Sequence, residues 1–103
     1  MEIIFYRIYC VDTAVCDVYV GQTKVFSQRK THHKWSCKKD NSKLYETIRK
    51  HGGWDNWKME EIDKGVYPTK KEILEREQYW IDFYSPSLNT NRARHIFYSK
   101  KYF

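Results

Sequence analysis

The sequence predicts one small α+β domain, and three observations carry that prediction. The chain has 103 residues, enough to bury one core but not two. Strand-like and helix-like runs alternate in the order strand, strand, helix, helix, strand, helix, with no repeat or low-complexity tract between them. Aromatic residues make up 17% of the chain, with nine Tyr and four Trp, so burial is available despite few aliphatics and disorder is disfavoured.

The first run, residues 3–11, is rich in Ile, Phe, Tyr and Val and reads as a strand. Period-two geometry puts Phe5, Arg7, Tyr9 and Val11 on one face and Ile4, Tyr6, Ile8 and Cys10 on the other. After a polar connection at residues 12–16, residues 17–22 read as a strand returning antiparallel, with Val18 and Val20 facing one way and Tyr19 and Gly21 the other. Packing the apolar faces into the core is then expected to leave Tyr9 and Tyr19 side by side on the opposite surface.

Thr23 is a suitable N-cap for a helix over residues 24–35. Within it, Arg29 and His33 stand four residues apart and therefore on one face. Residues 42–51 read as a second helix with Leu44, Tyr45 and Ile48 inward, closed by Gly52-Gly53. A third strand lies around residues 57–63, although Glu60 and Glu61 blur its alternation. The last helix follows Pro68 with a capping box, Thr69-Lys70-Lys71-Glu72, and stops before Pro86. Its apolar stripe is Ile73, Leu74, Trp80, Ile81 and Tyr84, and Glu77 falls near the middle of it. Desolvating a carboxylate there costs several kcal/mol unless a cation compensates, so the position fits either a core-edge ion pair or a metal.

The formal net charge is +6, and its distribution is uneven. Residues 24–50 carry nine Lys or Arg against two acids, and residues 92–103 add four bases with no acid, whereas residues 55–82 hold eight acids against five bases. One cationic surface follows, which suits a nucleic-acid partner and equally a merely solvated basic face. Cys10, Cys16 and Cys37 are odd in number and lack a CxxC pair, which fits free thiols better than disulfides or a zinc site with His32 or His33. No window approaches the length of an apolar membrane span, and Met1-Glu2-Ile3-Ile4 lacks a signal peptide's basic start, so an intracellular chain with no membrane partner is expected.

Taken together, Arg7-Ile8-Tyr9, Tyr19-Val20-Gly21-Gln22-Thr23, Arg29, the run from Leu74 through Glu77 to Ile81, and Leu88-Asn89 resemble a GIY-YIG nuclease domain. The resemblance spans about residues 4 to 91 and is strongest to nuclease modules of phage and intron homing endonucleases, which share the Glu-Arg-Glu then Trp-Ile pattern and Lys50-His51-Gly52. Two positions depart from the pattern. Arg7 stands where the first signature has glycine, and Lys39 stands where homing enzymes often carry a second histidine.

The resemblance implies a three-stranded antiparallel sheet flanked by helices, in a nuclease domain over residues 1–91 with a basic aromatic tail over 92–103. It also implies DNA hydrolysis with a single divalent metal, Mg²⁺ or Mn²⁺, held by Glu77, since one carboxylate with water and phosphate oxygens is a usual Mg²⁺ arrangement. Arg29 offers a planar fork of donors to the phosphate. By resemblance Tyr9 is the general base and Tyr19 positions the water, with His33 as a supporting partner or proton acceptor and Asn89 closing the site through hydrogen bonds. A free phenol has a pKa near 10, so the phenolate costs about 4 kcal/mol at neutral pH unless nearby positive charge lowers it.

Lys24, Lys30, Lys34, Lys38 and Lys43 are placed to contact backbone phosphates, and Arg92 and Arg94 in the tail are candidates for the same role. That tail, which alternates bases with aromatics, is consistent with stacking on a strand and with packing on the core. The expected partner is double-stranded or structured DNA, bound as a dimer or with the help of a separate DNA-binding domain. A binding module that keeps the fold without cutting is the competing reading.

Overall fold

Both faces of the first strand are apolar enough to be covered, and this makes it the centre of the fold. In the computed structural model, which describes residues 2–89, β1 (Glu2–Cys10) lies between β2 (Val18–Thr23) and β3 (Trp57–Val66), antiparallel to both. Helices α1 (Phe26–Ser36) and α2 (Lys43–Lys50) follow β2, and α3 (Lys70–Tyr84) follows β3 and returns to the β2 side. This is the expected α+β architecture. Arg92, Arg94 and the rest of the basic tail lie outside the described residues.

On one face Tyr6, Ile8 and Cys10 pack with Cys37, Leu44, Tyr45, Ile48, Trp57 and Met59, with Leu88 closing the cluster. On the other face Ile3 and Phe5 pack with Ile73 of α3, flanked by Ile62, Tyr67 and Trp80. β1 and α2 thus bury the faces their hydrophobic patterns offer, whereas α1 buries His33 and Ser36 and α3 buries Ile73 with Glu77.

Several boundaries differ from expectation for identifiable reasons. Thr23 does not cap α1: its hydroxyl accepts from the Val25 N–H at 3.2 Å, and the helix starts after Val25. Gly52 and Gly53 do end α2, with φ of +96° and +78° and Gly53 N–H donating to the Ile48 carbonyl at 2.8 Å. The blurred third strand holds a bulge: between Phe5 and Tyr6 the pairing steps from Asp63 to Glu61 and leaves Ile62 without a partner on β1. Period-two alternation restarts there, so a single pattern cannot describe the whole strand.

At the end of α3, the segment after Pro86 runs along the free edge of β2. Leu88 N–H donates to the Val18 carbonyl at 3.0 Å. Asn89 then pairs with both backbone groups of Val20, accepting at 2.9 Å and donating at 2.8 Å. An edge strand is thereby covered without a fourth strand.

Candidate active site

The register of β1 against β2 decides which tyrosines meet. Tyr6 pairs with Gly21 and Ile8 with Tyr19, so every pair joins an even-numbered residue to an odd-numbered one. Cross-strand partners share a face. Tyr19 therefore shares its face with Tyr6, and Tyr9, paired with Val18, points to the opposite side. The expected pairing of Tyr9 with Tyr19 is corrected here: Tyr6 is the tyrosine beside Tyr19, with ring centroids 6.3 Å apart.

Tyr9 is occupied elsewhere. Its ring carries the Arg7 guanidinium at 4.2 Å, and Arg7 in turn donates to Glu60 at 2.8 Å. The Arg7 that gave this face a polar look serves an ion pair.

Tyr6 reaches its place because Gly21 has no side chain. A Cβ on Gly21 would lie 2.5 Å from the Tyr6 hydroxyl oxygen and 3.0 Å from the Tyr19 ring. The phenol crosses over that glycine to His33, whose Nε2 lies 2.8 Å from the Tyr6 hydroxyl. His33 is 3% exposed and also touches the Tyr19 ring, at 5.8 Å between centroids, and lies parallel to Trp54 at 6.3 Å. Its other ring nitrogen, Nδ1, lies 2.8 Å from the hydroxyl of Tyr45 on α2, a residue that the sequence marked only as core.

Arg29, one turn before His33, stays exposed at the mouth of the cluster. It borders an open cleft of about 530 Å³ together with Gln22, Lys24 and His32. Burial lowers the His33 pKa to about 4, helped by the positive charge of Arg29 and by His32, so the imidazole is neutral at ordinary pH. Burial also holds the Tyr6 phenol well above the usual tyrosine range, reinforced by Tyr19, Tyr45 and Glu77 and opposed by Arg29. The resting site therefore contains a phenol and a neutral imidazole rather than a phenolate.

Glu77 is 5% exposed on the inward stripe of α3, and its charge is felt at Tyr6. Asp63 on β3 positions that helix by accepting from Arg76 Nε at 2.8 Å and Trp80 Nε1 at 3.0 Å, on either side of Glu77. Among the described residues no group of three His, Cys, Asp or Glu side chains could hold a metal. The donors present are one carboxylate and phenolic oxygens, a hard-oxygen set that fits a divalent cation taking its other ligands from water and phosphate. The thiols do not suit zinc: Cys10 and Cys37 are buried, and burial pushes the Cys37 pKa up to about 11 against the pull of Arg49.

Lys24, Lys30, Lys34, Lys38 and Lys43 are all exposed along α1 and its flanks. Trp35, also exposed, carries the Lys38 ammonium at 4.2 Å. Lys39 is exposed and takes no part in the buried cluster. Sequence reasoning missed Tyr6 and Tyr45. Phe5-Tyr6 and Ile8-Tyr9 are both an apolar residue followed by tyrosine, and only the strand register separates them.

A small α+β domain that gathers three phenols around an imidazole, with a buried carboxylate whose charge reaches them and an arginine that borders an open basic cleft, is of the kind that handles phosphodiesters. The chain belongs to the GIY-YIG catalytic domain family, whose model matches residues 2–91. These are endonucleases acting on phosphodiester bonds, and they are generally dependent on a divalent metal. Among solved structures the chain is similar to the catalytic domain of the homing endonuclease I-TevI, with 26% identity and a TM-score of 0.66. That likeness covers 82% of this chain and 90% of the other. No curated protein matches the chain in sequence.

Proposed function

We propose that the chain is a metal-dependent endonuclease that cuts DNA by water attack on phosphorus, assisted by Tyr6 and His33. The observation that carries this reading is the buried hydrogen bond between the Tyr6 hydroxyl and His33 Nε2, beside Tyr19. A phenolate is not needed in advance. Tyr6 takes a proton from the attacking water as its own proton passes to the neutral imidazole. Tyr19, on the same face, orients the water. Arg29 at the cleft mouth binds non-bridging phosphate oxygens through its fork of donors and offsets the charge that builds there.

Glu77 would hold the cation, Mg²⁺ or Mn²⁺, which when bound would supply Lewis-acid charge to the phosphate undergoing attack. Asn89 acts indirectly: with both ends of its amide engaged by Val20, it keeps β2, and so Tyr19 and Gly21, in place. Lys24, Lys30, Lys34, Lys38 and Lys43 hold the DNA backbone without reading sequence, and Arg92 and Arg94, outside the described residues, are proposed for the same role. The likeness to a homing endonuclease supports DNA as the substrate. Specific cutting then needs a dimer on DNA or a separate DNA-binding domain.

The test is nicking of supercoiled plasmid in Mg²⁺ or Mn²⁺ by folded Arg29→Ala and Glu77→Gln proteins. Each is expected to lose roughly a hundredfold or more in rate. Undiminished nicking by both would overturn the proposal. Tight binding by wild type in a gel shift, with no turnover in either metal, would instead identify a module that holds DNA without cutting it.

A further inference from the structure

Between the two phenols, His33 has a choice that its surroundings settle. A neutral imidazole carries one donor and one acceptor nitrogen, and here each nitrogen faces a tyrosine hydroxyl at 2.8 Å. If Nε2 carries the hydrogen, it points at Tyr6 and the Tyr6 proton has nowhere to go. If Nδ1 carries it, Nε2 presents a lone pair to the Tyr6 hydroxyl.

Tyr45 has the environment to favour the second state. It is 9% exposed at its place on α2, whereas Tyr6 is 1% exposed and has His33 as its hydrogen-bond partner. Tyr45 lies nearer the surface and can turn its hydroxyl hydrogen toward solvent, which leaves its oxygen free to accept from His33 Nδ1–H. All three buried groups are then satisfied, as buried polar groups require. In the opposite arrangement Tyr45 donates to Nδ1, and Tyr6 must find another acceptor for its hydroxyl hydrogen.

We infer that Tyr45 is a positioning residue that accepts the Nδ1–H of His33, fixing the tautomer in which Nε2 receives the Tyr6 proton. This rests on the proposed Tyr6–His33 relay and adds the element that gives it direction. As the new P–O bond forms, the water O–H bond breaks toward Tyr6 and the Tyr6 O–H bond breaks toward Nε2. The resulting imidazolium keeps its Nδ1–H on Tyr45 and returns the extra proton to solvent after the product leaves. The leaving alkoxide takes its proton from solvent.

The groups that face this imidazole are Tyr6 from β1, Tyr19 from β2, Arg29 and His32 from α1, and Tyr45 from α2. Glu77 from α3 acts on it through Tyr6, and Asp40 through Tyr45. Among the described residues Tyr45 is the one hydrogen-bonded to Nδ1, so removing its hydroxyl addresses the tautomer directly.

The experiment is ¹⁵N NMR of the His33 ring in the wild-type protein without substrate, followed by the same spectrum and plasmid nicking in Tyr45→Phe. Wild type is expected to show a protonated Nδ1 and a bare Nε2. In Tyr45→Phe, which keeps the ring and its packing, the Nε2–H form gains population. The variant is expected to bind DNA with unchanged Kd while kcat falls about ten- to a hundredfold, the usual range for loss of an orienting partner. A wild-type spectrum with Nε2–H, or a Tyr45→Phe protein with full kcat, overturns the inference. The wild-type spectrum decides the matter even where the variant does not fold. Loss of the relay itself is read separately, from a Tyr6→Phe protein that still cuts.

Discussion

At Gly21 one missing methyl group decides whether the site exists. An alanine there would put its Cβ against the Tyr6 hydroxyl and the Tyr19 ring at once, and Gly21 is itself buried on β2, paired with Tyr6 of β1. Gly21→Ala is therefore expected to displace Tyr6 from His33, lower stability by about 1–3 kcal/mol and cut nicking roughly a hundredfold. Urea unfolding and a nicking time course check the two halves. His33 makes a second residue-scale prediction. Its pKa falls from 6.5 to about 4 on folding, so between those values the unfolded chain binds a proton that the folded one refuses. Stability contributed by His33 is thus full above pH 6.5 and is lost as pH falls toward 4, by roughly 3 kcal/mol at most. A flatter stability profile in His33→Gln than in wild type over that range is the expected result. The types of residue in the candidate site were legible in the sequence, where Tyr19, Arg29, His33, Glu77 and Asn89 were all singled out. Tyr6 was not, because its strand holds two tyrosines on opposite faces and the loop before β2 hides the register that selects one. Arg7 also drew attention to the wrong face, since a charged strand residue marks a solvent-facing ion pair as readily as a site.

At the scale of elements, α3 shows how local signals position chemistry. Thr69 accepts from the Glu72 N–H at 3.2 Å, the cap that the sequence announced, and the helix then runs unbroken to Tyr84. Its angle is set from β3, where the Asp63 carboxylate takes two donors from α3. Burial opposes ionisation of Asp63, but the hydrogen bonds from Arg76 and Trp80 outweigh it and hold its pKa below the usual range. Asp63→Ala is expected to cost about 1–3 kcal/mol by stranding the Trp80 N–H and the Arg76 guanidinium, and Asp63→Asn about half as much. Thermal unfolding of the two variants tests the order. Because Glu77 lies between Arg76 and Trp80, nicking by Asp63→Ala falls as well. This tie was not legible beforehand, since the bulge at Ile62 resets the facing of β3 and only the folded register brings Asp63 under α3. Helix ends, by contrast, were readable wherever a residue had a specific job, as at Thr69 and Gly52-Gly53, and drifted by two residues at α1, where Thr23 bonds back onto Val25 instead.

Over the whole molecule the charge map and the site agree. The exposed lysines lie on α1 and its flanks, with Lys24 lining the cleft beside Arg29, while the acidic stretch of the sequence lies in β3 and α3. A Lys30→Gln and Lys34→Gln double variant is expected to bind DNA less tightly and to flatten the slope of log affinity against log salt by about 2, one step per lost phosphate contact. Fluorescence anisotropy across a salt series measures it. Tyr9, under Arg7, stands outside the proposed chemistry, although α3, which carries Glu77, packs on that same face of the sheet. Tyr6 and Tyr9, three residues apart on opposite faces of β1, separate the proposed chemistry from its alternative. Nicking of supercoiled plasmid is measured for Tyr6→Phe and Tyr9→Phe side by side, both checked for folding. The account predicts a loss of about a hundredfold or more for Tyr6→Phe, with Tyr9→Phe close to wild type. Full activity in Tyr6→Phe together with loss in Tyr9→Phe would contradict it.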